Sequence, residues 1–377
     1  MAIFRTEDTK GKKEDLASFI SMITRDETPF LSSISNKKAT SVFHEWQTDS
    51  LAAPMSNANA EGADFDINAV AAQSTVRVGN YSQILSKHMQ VSKTLDSVSK
   101  AGRNSEFAYQ MKKKGTELKR DLEYALVGTR QVTLASGGRS TDGVGTNAGR
   151  SMGGVQSFVP GANTWNAQTS AFGTGSTADG SAVSANPTGV VVGTPITQTL
   201  DLTDVDNVMQ KIYEEGGKAS VLMMSPSNKR AFSALAQAGG ATANTRRNID
   251  EKGSLRQSVE LYESDFGLVK VVPNYIQGLA NNFSIGSAVV GDGTVSTGNA
   301  PAITLKVEGA SDVIVYDPSW WSMATLRPLH TADIGVKGDA TTAMLIEETT
   351  LECRNPLATG LITNIGTFSQ TAGTAGA

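Results

Sequence analysis

The sequence predicts an α+β protein, and three observations carry that prediction: paired strand-like runs, a long amphipathic helix after them, and a later helix, strand and helix leading into a hairpin. The first run, Val42 to Thr48, alternates Val42, His44, Trp46 and Thr48 with Phe43, Glu45 and Gln47, the period of two of a strand. The second runs from about Ser74 to Val91. Val76 and Val78 share one parity, and Tyr81, Leu85, Met89 and Val91 the other, so a bulge is expected at Gly79-Asn80.

Between the runs lie the twenty-five residues Asp49 to Gln73, with Asp49, Glu61, Asp64 and Asp66 and no lysine or arginine. A structureless loop of that length is uncommon inside a compact domain. Either it is disordered, or another chain orders it by accepting its carboxylates and its apolar Leu51, Pro54, Met55 and Phe65. The second alternative is favoured, with Trp46, Asp49, Leu51, Pro54, Glu61, Asp64 and Phe65 as candidate inter-subunit residues.

A helix is predicted from about Ser97 to Gly128, with Phe107, Met111, Leu118, Leu122 and Leu126 on one stripe. At about 1.5 Å per residue it would extend nearly 50 Å. Glu106, Tyr109, Lys113, Glu117 and Arg120 fall on the opposite, wet side, and Lys113 and Glu117 form an i,i+4 pair. Gly115 lies on the apolar stripe, where it allows another backbone to approach. Lys112 to Lys114 with Lys119 and Arg120 form the densest basic cluster. A solvated face is the ordinary explanation, and genome contact through Lys113 and Arg120 the sharper one.

These residues resemble the tailed-bacteriophage major head (capsid) proteins of the Hong Kong 97-like fold, in the subgroup typified by a phage with an elongated head. Phe43-His-Glu-Trp46-Gln-Thr-Asp-Ser-Leu-Ala-Ala-Pro54 and Glu61-Gly-Ala-Asp64 are similar to the family's extended loop. Glu117-Leu-Lys-Arg120-Asp-Leu-Glu-Tyr-Ala-Leu126 is similar to its spine helix. Val259 to Asn274 resembles the central hairpin. Val315-Tyr-Asp-Pro318, Leu326-Arg-Pro328 and Glu348 to Pro356 resemble the closing region.

The resemblance implies an N-terminal arm over 1–40, an extended β-ribbon loop over 41–95, and a peripheral domain with spine helix and Gly/Thr-rich segment over 96–200. It places an axial domain over 201–310 and the peripheral return strands with the C-terminus over 311–377. It implies a structural, non-enzymatic protein without cofactors that forms hexamers and pentamers tiling an icosahedral or elongated shell around double-stranded DNA. The partners implied are the chain itself, scaffold, portal and decoration proteins, and weak nonspecific contact with packaged DNA, with no membrane. The place implied is the virion, after assembly in the bacterial cytoplasm. No lysine lies between Lys38 and Lys87, so the loop has no amine for the isopeptide crosslink of some family members, and noncovalent contacts are expected to hold the shell.

Length and composition set bounds on these readings. A chain of 377 residues suits two or three folding units. Hydrophobic content of 39% and aromatic content of 6% are low to ordinary, and a net charge of −4 argues against a surface that grips nucleic acid all over. The single cysteine, Cys353, excludes an intrachain disulfide and a cysteine-cluster metal site. The N-terminus lacks a signal-peptide core and no run reaches the length of a membrane span, so cytoplasmic folding is expected. Leu16, Phe19, Ile20 and Ile23 form a short amphipathic stripe that docks on its own chain or on a neighbour.

Gln131 to Leu200 holds thirteen glycines and reads as loops and short strands, or as a linker pinned at Met152 to Val159, Trp165 and Val190 to Val192. Thr203-x-x-Asp206 reads as a capping box opening a helix with Val205, Val208, Met209 and Ile212 on one face, closed by Gly216-Gly217. Ser220 to Met224 reads as a buried strand, and Ser225-Pro226 starts a helix through about Ala236. Val259 to Tyr262 and Leu268 to Val272 flank a hairpin turn, and strands near Asp312 to Tyr316 and Ala343 to Cys353 complete a mixed sheet.

No phosphate loop, zinc helix or nucleophile elbow is present, and Gly143-Val-Gly145 is a poor dinucleotide-loop match. His44 and His88 flank the loop and would meet across a ribbon, although chance placement is favoured over a pH switch. An encapsulin-like compartment shares the fold and is the main alternative. A hydrolase lacks a convergent constellation, and a secreted adhesin lacks a signal peptide.

Overall fold

The computed structural model describes residues 27–49, 51, 54, 56, 58, 61–62, 75–98, 100, 105–127, 152–167, 169–173, 200–235, 248–249, 255–256, 259–280, 312–336, 338–363 and 365. The Leu16 to Ile23 stripe, Met55, Asp64, Phe65 and most of the glycine-rich segment lie outside them. The elements in order are α1 (Pro29–Ser33), β1 (Ser35–Lys38), β2 (Phe43–Thr48), β3 (Val76–Tyr81), β4 (Gln83–Ser92), α2 (Lys93–Ser97), α3 (Glu106–Val127), α4 (Val155–Phe158), β5 (Thr164–Asn166) and β6 (Ala171–Phe172). They continue as α5 (Leu202–Glu214), β7 (Val221–Met224), α6 (Pro226–Leu235), β8 (Asn248–Ile249), β9 (Leu255–Arg256), β10 (Leu261–Ser264), β11 (Gly267–Pro273), α7 (Tyr275–Ala280), β12 (Val313–Tyr316), β13 (Trp321–Val336), β14 (Ala340–Cys353) and β15 (Gly360–Thr363).

The sheets run β1-β13-β14-β4, β10-β11-β7-β12-β15-β5-β6, β2-β3 and β8-β9. Helices and sheets of mixed direction make an α+β chain: β7 runs parallel to β11 and antiparallel to β12. Two compact units form. Among the described residues one takes Ser86–Leu118 and Leu329–Ile346, and the other takes Glu27–Leu85, Lys119–Pro328 and the described part of Glu347–Ala377.

The larger unit holds the main core. Val205, Val208, Met209 and Ile212 of α5 pack with Leu222, Met224, Phe232, Val269, Val271, Val313, Val315 and Ile362. The α5 face is the one its sequence spacing predicts, but the cap sits two residues earlier. Asp201 is the N-cap and Asp204 closes the box, because the Thr203 hydroxyl is spent donating to Asp201 Oδ2 at 3.1 Å. Gly216, at φ +81°, ends the helix in the left-handed region. Ser225 Oγ accepts from Asn228 N at 3.3 Å and so caps α6 as expected. The Asp265-Phe266 turn joins β10 to β11, and Gly267 takes φ +138° where the chain re-enters the sheet.

The long helix is shorter than predicted. Val98 is extended at ψ 137° and ends α2. The α3 helix starts at Glu106, whose amide donates to Asp96 Oδ1 at 3.0 Å, and its twenty-two residues span about 33 Å. Leu118, Leu122 and Leu126 are buried, whereas Phe107 and Met111 are only half-buried.

Glu106 is buried rather than wet, and its carboxylate accepts from Gln110 Nε2 at 2.7 Å. The ion pair to Glu117 comes from Lys114, at 2.7 Å, not from Lys113. A Cβ at Gly115 would meet no atom within 4 Å, so no backbone approaches it among the described residues. Close approach occurs instead at Gly154, where a Cβ would lie 2.7 Å from Leu126 O and 2.8 Å from Ala125 O.

Candidate assembly interface

β2 and β3 pair antiparallel from Phe43↔Tyr81 to Thr48↔Val76 and form a two-stranded ribbon that leads into the 49–75 loop. The change of phase in the sequence is not a bulge. The strand stops at Ser82, and β4 resumes in another sheet. Gly79 is required for a different reason, since a Cβ there would sit 2.5 Å from Phe43 Cζ. His88 lies on β4, so it does not face His44 across the ribbon, where the residue opposite is Asn80.

The root of the ribbon is tied to β14. Tyr81 O accepts from Thr350 Oγ1 at 3.0 Å, and Ser82 Oγ donates to Glu348 Oε1 at 2.7 Å. Asn80 Nδ2 donates to Leu351 O at 2.8 Å and to Gly153 O at 3.1 Å, while its Oδ1 accepts from Gly153 N at 2.9 Å. His44 Nε2 lies 3.1 Å from Glu352 Oε2, and Lys37 Nζ 2.7 Å from Glu352 Oε1. Burial pushes the Glu352 carboxyl up, but the hydrogen bonds and charges of Lys37 and His44 outweigh it and hold it below its ordinary value. Arg327 Nε pairs with Glu348 Oε2 at 2.8 Å.

The ribbon is also held by its own pairs. At the root the Phe43 and Tyr81 rings meet at a tilt with centroids 4.5 Å apart, and farther out Arg77 pairs with Glu45. Trp46 is half-buried. Its ring lies 5.9 Å from Phe158 and 5.8 Å from His44 of the same chain. Beyond it Asp49, Leu51, Pro54 and Glu61 are exposed, and Leu51 is 97% exposed. An apolar side chain held that far into water by an anchored ribbon can gain stability by burial against another surface.

The basic candidates differ from one another. Lys113 is exposed, while Arg120 is half-buried and its Nε is sealed from solvent without a hydrogen-bond partner among the described residues. Among the described residues no group of three or more His, Cys, Asp or Glu could hold a metal ion, and no helix is long and apolar enough to cross a membrane. Sequence reasoning missed Asn80, Glu348, Thr350 and Glu352, because each acts across more than 250 residues, and so did Lys37.

The fold has counterparts among solved capsid and encapsulin structures. It superposes with a TM-score of 0.52 on the holo-SrpI encapsulin complex of Synechococcus elongatus, at 8% identity over 98% of each chain. On the mature capsid of bacteriophage PhiM1 the TM-score is 0.51, at 10% identity over 94% of this chain and 93% of that one. The major capsid protein of Escherichia phage Phieco32 is 28% identical over 261 residues, 66% of this chain and 73% of its own length.

The SU10 major capsid protein family model matches residues 3–366, and the chain belongs to that family. The fold is therefore the Hong Kong 97-like capsid fold, as the resemblance implies. The protein is a self-assembling structural component of a phage head, not an enzyme.

Proposed function

We infer that copies of this chain form hexamers and pentamers and close into an icosahedral or elongated shell around double-stranded DNA, each copy laying its 49–73 loop on a neighbour. The exposure of Leu51, together with Pro54 and Glu61, beyond a ribbon fixed at its root is the observation that carries this reading. Repetition around closed rings lets modest contacts suffice. With no lysine between Lys38 and Lys87, those contacts are noncovalent at the loop.

The division into arm (1–40), ribbon loop (41–95), peripheral (96–200 and 311–377) and axial (201–310) parts belongs to the same proposal. So do assembly in the host cytoplasm, docking of scaffold, portal and decoration proteins, and weak DNA contact through Lys113 and Arg120. Replacing Asp49–Gln73 by a short turn leaves a folded subunit that forms no shells in negative-stain microscopy. Normal particles from that variant overturn the loop's role.

The fold likeness to an encapsulin supports a second reading, a compartment for protein cargo. Nuclease-protected DNA in purified particles favours the phage head, and copurifying cargo protein without DNA favours the compartment.

A further inference from the structure

We propose that Glu352 and Glu348 are positioning residues for assembly: they lock the root of the ribbon to β14 and so set the direction in which the ribbon points. The proposal rests on the reading of the loop as an inter-subunit reach, and it names what aims that reach.

Four rungs make the lock. From Glu348 to Glu352, β14 presents a carboxylate, a hydroxyl, a backbone carbonyl and a second carboxylate to Ser82, Tyr81, Asn80 and His44 in turn. Both carboxylates are buried, and each also has a cation, Arg327 for Glu348 and Lys37 for Glu352. In each pair the carboxylate is buried while the cation stays partly in water, so the net stability gained is small, but removing the cation strands a buried charge, which suits the pair to fixing a geometry. Asn80 adds a two-way amide clasp to Gly153, so the root is held from a second direction.

The outer ribbon is tied differently. Arg77 pairs with Glu45 across the ribbon, and Thr48 Oγ1 donates to Val76 O at 3.5 Å. A ribbon six residues long extends about 20 Å, so a tilt of roughly 10° at its root would carry its end about 3 Å off line. An error of that size is enough to lose a close-packed contact. Aim is therefore set at β14.

Hydrogen exchange of the full-length chain, read as free subunits and as assembled particles, tests this. In the wild type, backbone amides of 43–46 and 78–82 are equally protected in both states, and protection gained on assembly is confined to 47–77. Glu352→Ala speeds exchange at 43–46 by about tenfold while 221–224 in the seven-stranded sheet is unchanged. Glu352→Gln, which keeps an acceptor for Lys37 or His44, restores at least half of that protection.

Thr350→Val removes only the hydroxyl rung and serves if Glu352→Ala does not fold; it loosens 80–82 alone. Root protection that rises on assembly in the wild type overturns the proposal, as does a folded Glu352→Ala or Thr350→Val with unchanged exchange at the root. The free-subunit readings stand whether or not the loop-deletion variant assembles, so failure of the aiming role and failure of the reaching role are distinguishable.

Discussion

The amide of Phe30 donates to the carboxylate of Glu123 at 2.9 Å, although ninety-three residues separate them in the chain. Glu123 also accepts from Leu31 N at 2.8 Å and Asn274 Nδ2 at 2.7 Å, so one buried side chain on α3 ties α1 to the turn after β11. Phe30 completes the anchor, with its ring 5.2 Å from Tyr316 and 6.0 Å from Trp321. Glu123→Ala strands three donors, two of them buried. A loss of roughly 3–5 kcal/mol in urea unfolding of free subunits is expected.

Glu123 and Glu352 give opposite pH dependences. Burial raises the Glu123 carboxyl above its ordinary value despite the backbone and amide donors, so its contribution to stability is full at low pH and is lost as pH rises through the folded value. Thermal unfolding of Glu123→Gln therefore gains on the wild type as pH rises above the ordinary carboxylate value. Glu352 is held low, so its contribution is present above the ordinary carboxylate value and is lost as pH falls through the folded one. The wild-type advantage over Glu352→Gln shrinks as pH falls below the ordinary carboxylate value and is gone once the folded value is passed.

Two glycines respond oppositely to an added methyl. Gly154→Ala drives a Cβ against the carbonyls of Ala125 and Leu126 and costs roughly 1–3 kcal/mol in chemical denaturation. Gly115→Ala meets nothing and raises the unfolding midpoint through about 1 kcal/mol of helix propensity.

Along α3 the cost of truncation follows burial. Leu122→Ala, at a fully packed site, loses roughly 2–5 kcal/mol, and Leu122→Asp yields no native circular dichroism. Phe107→Asp, expected from the sequence stripe to prevent folding, falls at a half-buried position. It leaves a folded subunit with a lowered melting temperature.

Local elements were legible where one periodicity and one cap dominated. Val205, Val208, Met209 and Ile212 declare the buried face of α5, and Ser225-Pro226 declares the start of α6. The ribbon was legible from the alternation around Trp46. β13 was not, because Pro328 interrupts it and its outer half is exposed on both faces, which leaves no alternating signal. The carboxylate rungs on β14 were hidden for another reason. Glu348 and Glu352 are four apart and read as ordinary strand residues until β14 meets a ribbon more than 250 residues earlier in the chain. The packing of Trp46 was not legible because its ring partner, Phe158, sits more than a hundred residues away on a helix of four residues.

Cys353, the chain's only cysteine, lies sealed on β14, and burial pushes its thiol well above the ordinary range. Maleimide chemistry therefore has no native target, and Leu51→Cys would place a lone reactive sulfur at the far end of every ribbon. A fluorophore attached there would report, one dye per copy, when and how fast each projection finds its seat.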